Sequence, residues 1–144
     1  MLKIIIVAHG HFSDGIMSAL ELIAGKQEDL IALNFIEGMS SQELETAINS
    51  ELVAKQEYLI LTDLLGGTPF NLATGLMVSH PDKVIRVLSG LNLAMLIEAV
   101  FSRNSISDID QLVDSLISSS QKAIVDAKVC VAVQEDELPF EGGI

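Results

Sequence analysis

Short apolar runs alternate along this chain with stretches whose apolar positions recur every three or four residues. Ile4, Ile5, Ile6 and Val7, inside the run Leu2 to Ala8, are β-branched and uninterrupted by polar residues. That predicts a strand buried on both faces, as in a parallel sheet. Ser13 or Asp14 caps a helix from about Gly15, with Ile16, Ala19, Leu20 and Ile23 on one face and Gly25 as its stop. Leu30 to Phe35 is a second strand. Ser40 with Glu43 fits a capping box, and Leu44, Ala47, Ile48 and Leu52 mark the buried face of a second helix. Tyr58 to Thr62 is a third strand, ending at Asp63.

The segment DLLGGTPFN follows, in which Thr68 and Pro69 pair a helix cap with proline at the first helical position. The third helix runs to about Ser79, stopped at His80-Pro81. Val84 to Leu88 makes a fourth strand, and Ser89 to Asn92 lead into a helix through Met95, Leu96, Ala99 and Val100. Ser107 and Asp110 fit the start of a long fifth helix to about Ala127, and Val129 to Val133 reads as the last strand. Strands alternating with helices at short intervals specify an α/β fold: a mainly parallel open sheet flanked by helices, with right-handed crossovers. With the first strand central and strand order 2-1-3-4, the loops after strands one and three diverge and leave a crevice between them.

Composition narrows the class. The 144 residues suit one domain, expected over 1–133, followed by an acidic C-terminal tail over 134–144. Mean hydropathy is +0.47, yet charges interrupt the chain before the roughly 18 apolar positions that a membrane helix needs. No small-residue cleavage site follows the N-terminal apolar run, so a cytoplasmic protein is expected. The one cysteine, Cys130, supports neither a disulfide framework nor a zinc site and reads as a small buried residue. Eight basic residues against twenty acidic ones give a formal charge of −12, which repels nucleic acid and anionic membrane surfaces and suits a basic protein partner.

The chemistry concentrates in the two loops of the crevice. His9 stands at the end of the first strand and Asp63 at the end of the third. A neutral imidazole offers a ring nitrogen lone pair that can attack phosphorus, while a carboxylate behind it fixes the tautomer and stabilises the ring as it becomes positive. Gly66 and Gly67 let the backbone approach closely, the N–H groups opening the helix at Thr68 to Asn71 make an anion site, and Thr68 adds a hydroxyl. Gly10, beside the histidine, joins these as a phosphoryl-binding candidate. Phosphoryl transfer is mostly positioning and electrostatics, so this set needs no metal or cofactor. There is no GxxxxGK[ST] loop to hold a nucleotide donor and no GxGxxG after the first strand. Taken singly, His9 could be a polar rim residue, Asp63 a turn cap and Gly66-Gly67 a tight turn; their convergence on one crevice favours chemistry. His11 reads as a neighbour or solvent-facing residue, His80 as a surface helix terminus, and the five methionines as core fillers.

AHG at Ala8 to Gly10, DLLGGTPFN at Asp63 to Asn71 and SGLNLAMLIE at Ser89 to Glu98 together resemble the enzyme IIA components of the mannose-type sugar phosphotransferase system. The resemblance runs from Met1 to about Val133. It implies a phosphocarrier whose histidine, falling on His9, accepts a phosphoryl group from the phosphohistidine of HPr and passes it to an enzyme IIB. IIB in turn phosphorylates the sugar as it enters through the membrane components, an indirect membrane association. The family's aspartate falls on Asp63, its phosphoryl-binding glycines and hydroxyl on Gly66, Gly67 and Thr68, and partner contacts are expected at Leu64 and Leu65. It also implies a homodimer, with an antiparallel last strand, Val129 to Val133, exchanged between subunits. His11 stands where histidine is not expected, and Leu65 where some relatives carry an aromatic residue. Two other functions fit the same fold: a phosphocarrier subunit feeding dihydroxyacetone kinase, which generally lacks so complete a GGTPFN segment, and a regulatory domain without turnover.

Overall fold

The alternation along the first strand decides how the molecule is layered. In the computed structural model, which describes residues 1–53 and 55–133, β1 (Lys3–His9) points Ile4 and Ile6 into one apolar cluster and Ile5 and Val7 into another. Period-two side chains of a strand buried on both faces do this directly. β1 lies between β2 (Leu30–Phe35) and β3 (Glu57–Thr62), and β4 (Val84–Leu88) completes a wholly parallel sheet in the order β2-β1-β3-β4, as the sequence pattern predicts.

α1 (Phe12–Ala24), α4 (Leu93–Ser102) and α5 (Ile109–Lys122) cover one face, through Leu20, Leu96, Ala99, Leu112 and Leu116. α2 (Ser41–Ser50) and α3 (Thr68–Ser79) cover the other, through Leu44, Ile48, Ala73 and Leu76. At the amino ends of the strands, the buried Arg103 side chain donates to the carbonyls of Leu2, Glu28 and Asp29, tying the starts of β1 and β2 together. The opposite, carboxyl edge is left for the loops that carry His9 and Asp63.

Ser40 caps α2 by accepting the Glu43 N–H at 3.1 Å, and Asn92 caps α4 by accepting that of Met95 at 2.9 Å. Other boundaries move. α1 begins at Phe12 with His11 as an N-cap that makes no side-chain bond; of the two expected caps, Ser13 is buried and donates to the Leu33 carbonyl at 2.8 Å, and Asp14 lies inside the first turn. α3 is capped by Gly67, so Thr68 is its first residue and Pro69 its second. α5 takes Asp108 as its cap and ends at Lys122, short of Ala127.

The expected last strand is the one element of the wrong type. Ala127–Val133 form a short helix, α6, and the antiparallel strand does not occur among the described residues. Asp126 decides this locally: its Oδ1 accepts the Lys128 N–H at 2.9 Å and its carbonyl accepts the Cys130 N–H at 3.1 Å, a helical start. β-branched residues favour a strand only where a neighbouring strand and a packed face receive them. Val129 and Val131 have neither here and are largely exposed. The acidic tail expected over 134–144 lies outside the described residues.

Candidate functional site

β1 leads into α1 on one face of the sheet, and β3 leads into α3 on the other. The chain therefore leaves two adjacent strands in opposite directions, which opens a crevice at their carboxyl ends. His9 is the last residue of β1 and continues the Ile5, Val7 side, so its ring lies on the α3 face. Asp63 is the first residue past β3.

The two meet. Asp63 Oδ2 accepts the His9 ring at Nδ1, 2.8 Å away, and also the His9 backbone N–H at 3.0 Å, while Oδ1 accepts the Leu64 N–H at 2.9 Å. A carboxylate can only accept, so Nδ1 carries the proton and Nε2 presents its lone pair. The His9 side chain is 43% exposed and that of Asp63 only 16%, the arrangement of a reachable ring steered by a sheltered acid. Burial by itself would raise the Asp63 pKa, but the bonds from the His9 backbone, the His9 ring and the Leu64 N–H together hold it below the usual carboxylate value. Asp63 stays ionised and keeps the tautomer in place.

The glycine pair does two different jobs. Gly66 sits at φ +77°, a left-handed turn that favours glycine, whereas Gly67 has an ordinary φ of −72°. What Gly67 supplies is room: a Cβ there would stand 2.9 Å from His9 Cε1 and 3.2 Å from the Leu64 carbonyl. The anion site is smaller than the sequence suggests. Gly10 N–H is taken by the Phe35 carbonyl at 2.8 Å, Gly67 N–H by that of Leu64 at 3.0 Å and Asn71 N–H by that of Gly67 at 2.9 Å, and Pro69 has no N–H. The N–H groups of Leu65, Gly66, Thr68 and Phe70 and the Thr68 hydroxyl remain the turn's unpartnered donors among the described residues, the last three at the positive end of the α3 dipole.

Leu64 and Leu65 stand exposed beside the crevice, and Phe12, the first residue of α1, and Ile36, just past β2, are exposed too. His11 is in solvent, near Asp14 and Asn34, and His80 Nδ1 donates to the Leu76 carbonyl at the end of α3; neither joins the His9 pair. No group of three or more metal-ligating side chains occurs among the described residues, and none of their helices is long and apolar enough to cross a membrane. Sequence reasoning passed over Phe35, whose ring meets that of His9 edge-on, with centroids 5.9 Å apart. The signal was available: both residues end their strands, and the register pairs them.

Residues 3–117 match the family model EIIA-man, described as "PTS system fructose IIA component". A crystal structure of phosphotransferase system component EIIA from Streptococcus agalactiae superposes with a TM-score of 0.88 at 57% identity, covering 90% of this chain and 100% of that one. The sorbose-specific EIIA component of Klebsiella pneumoniae is 30% identical over 98% of both chains. The mannose-specific EIIAB component of Escherichia coli strain K12 is 26% identical over 85% of this chain, which spans only 38% of that protein's length.

Proposed function

Since the chain belongs to the EIIA-man family of sugar phosphotransferase system IIA components, we propose that it is a phosphocarrier that accepts a phosphoryl group on Nε2 of His9 from phospho-HPr and passes it to an enzyme IIB. The observation that carries this reading is the double acceptance by Asp63 Oδ2 of the His9 ring and backbone, which leaves one tautomer, with the Nε2 lone pair free, on a ring 43% exposed. A histidine serving only as a rim residue has no need of a sheltered acid aligned on it from another strand.

The chemistry follows from that geometry. The Nε2 lone pair attacks phosphorus, the N–P bond of the donor phosphohistidine breaks, and its electron pair returns to the donor imidazole. Positive charge spread onto the His9 ring is met by the Asp63 carboxylate through Nδ1–H. The phosphoryl oxygens are received by the Gly66, Thr68 and Phe70 N–H groups and the Thr68 hydroxyl, donors fixed before the reaction and without a nucleophile of their own strength. Onward transfer reverses these roles, with the acceptor side chain of IIB attacking phosphorus and His9 Nε2 leaving. Exposed Leu64 and Leu65 are the partner contacts in this scheme, and the net charge of −12 favours basic partners.

Incubation with enzyme I, HPr and phosphoenolpyruvate should add one phosphoryl group of acid-labile, base-stable character, and His9→Ala should abolish it. Label that survives this substitution would move the site to another residue and overturn the assignment.

A further inference from the structure

Asp63 holds the His9 ring at one atom only. A single hydrogen bond at Nδ1 sets a distance, but it leaves the imidazole some rotation about its Cα–Cβ and Cβ–Cγ bonds, which carries Nε2 through an arc. Gly67 bounds that swing at Cε1, where even a methyl group would intrude. A further boundary is Phe35, whose ring meets the imidazole at 62° with centroids 5.9 Å apart, inside the range of favourable edge-to-face aromatic contact.

Phe35 is itself well held. It is the last residue of β2, paired in register with His9, so both side chains lie on the same face of the sheet. Its side chain packs against the apolar cluster that includes Ile5 and Val7, and its carbonyl accepts the Gly10 N–H at 2.8 Å, pinning the residue that follows His9. A phenyl ring has neither a lone pair nor an acidic proton. It can confine an imidazole without competing for the phosphoryl group or for the Asp63 carboxylate.

We propose that Phe35 is a positioning residue, acting through His9: it fixes the plane of the imidazole so that Nε2 faces the α3 donors before a phosphoryl group arrives. The kinetic half of this inference rests on His9 being the phosphoryl acceptor; the ring-orientation half does not.

The test uses the unphosphorylated protein first. Long-range proton–nitrogen spectra of the His9 imidazole are compared in wild type, Phe35→Leu and Phe35→Tyr, and the rate of phosphoryl acceptance is then measured against HPr concentration. In Phe35→Leu the His9 ring should sample more orientations while Asp63 still holds the tautomer, so its nitrogen signals should broaden and shift away from their wild-type positions. Its maximal rate should fall roughly 3- to 10-fold, the size of one aromatic contact, with half-saturation by HPr unchanged. Phe35→Tyr keeps the ring and should restore both. Should leucine unfold the strand end, Phe35→Met fills similar space without a ring and takes its place. Wild-type nitrogen shifts and rate in the ring-less variant overturn the proposal, as does a loss confined to HPr affinity. If wild type accepts no phosphoryl group on His9 while the nitrogen shifts still move in Phe35→Leu, positioning stands and the phosphocarrier reading falls.

Discussion

Replacing Gly67 by alanine separates the chemistry of the site from the stability of the fold. The backbone tolerates it, since φ −72° and ψ 165° are ordinary extended values for any residue. The added methyl group, however, would lie 2.9 Å from His9 Cε1, where ordinary contact begins at 3.4 Å. The ring must retreat by about 0.5 Å, because the Leu64 carbonyl at 3.2 Å closes the other side. A misplacement of about 1 Å costs on the order of 100-fold in rate, so half of that, with the 2.8 Å bond to Asp63 strained as well, predicts a loss of roughly 10- to 100-fold in phosphoryl acceptance. Stability should hardly change. Alanine is a poorer N-cap than glycine by up to about 1 kcal/mol, and the stiffer unfolded chain returns about 0.4–1 kcal/mol. Gly66→Ala differs in its effect on stability: nothing lies within 4 Å of its Cβ, but φ +77° costs roughly 1–2 kcal/mol, so stability falls. Stopped-flow or quench measurement of transfer from phospho-HPr, beside urea unfolding of the same samples, reads both. A Gly67→Ala protein that accepts phosphoryl groups at the wild-type rate would refute the reasoning.

Asp63→Asn keeps the shape of the side chain but loses the carboxylate that dictates the tautomer, and acceptance should drop by about 100- to 10,000-fold in the same transfer assay. The same carboxylate makes stability depend on acid. Its pKa is lowered from the ordinary 3.8 in the folded protein, so its contribution is complete above that value and disappears as pH falls through the lower folded one. Urea unfolding from pH 7 down to about pH 2.5 should show the wild-type advantage over Asp63→Asn shrinking only below about pH 4. At the far end of the sheet, Arg103→Met abandons the carbonyls of Leu2, Glu28 and Asp29 inside the fold and should cost about 2–4 kcal/mol in the same unfolding experiment. Phosphoryl acceptance by the folded fraction should be untouched, since Arg103 lies at the opposite edge from His9.

Local pattern carried the architecture. The β-branched run before His9, the cap at Ser40 and the regular exchange of two-residue for helical periodicity are properties of neighbouring residues, and they sufficed for four parallel strands in the order 2-1-3-4 and for bringing the loops of His9 and Asp63 to one edge. The same locality explains the errors. Val129 to Val133 have the composition of a strand, but a strand exists only through a neighbour to pair with, and the cap at Asp126 turns the segment into α6. Which donors of the α3 turn remain open and why Gly67 must be glycine were likewise beyond the sequence. Periodicity says which face a side chain takes; only the packed chain sets the distance between two side chains that come from different strands.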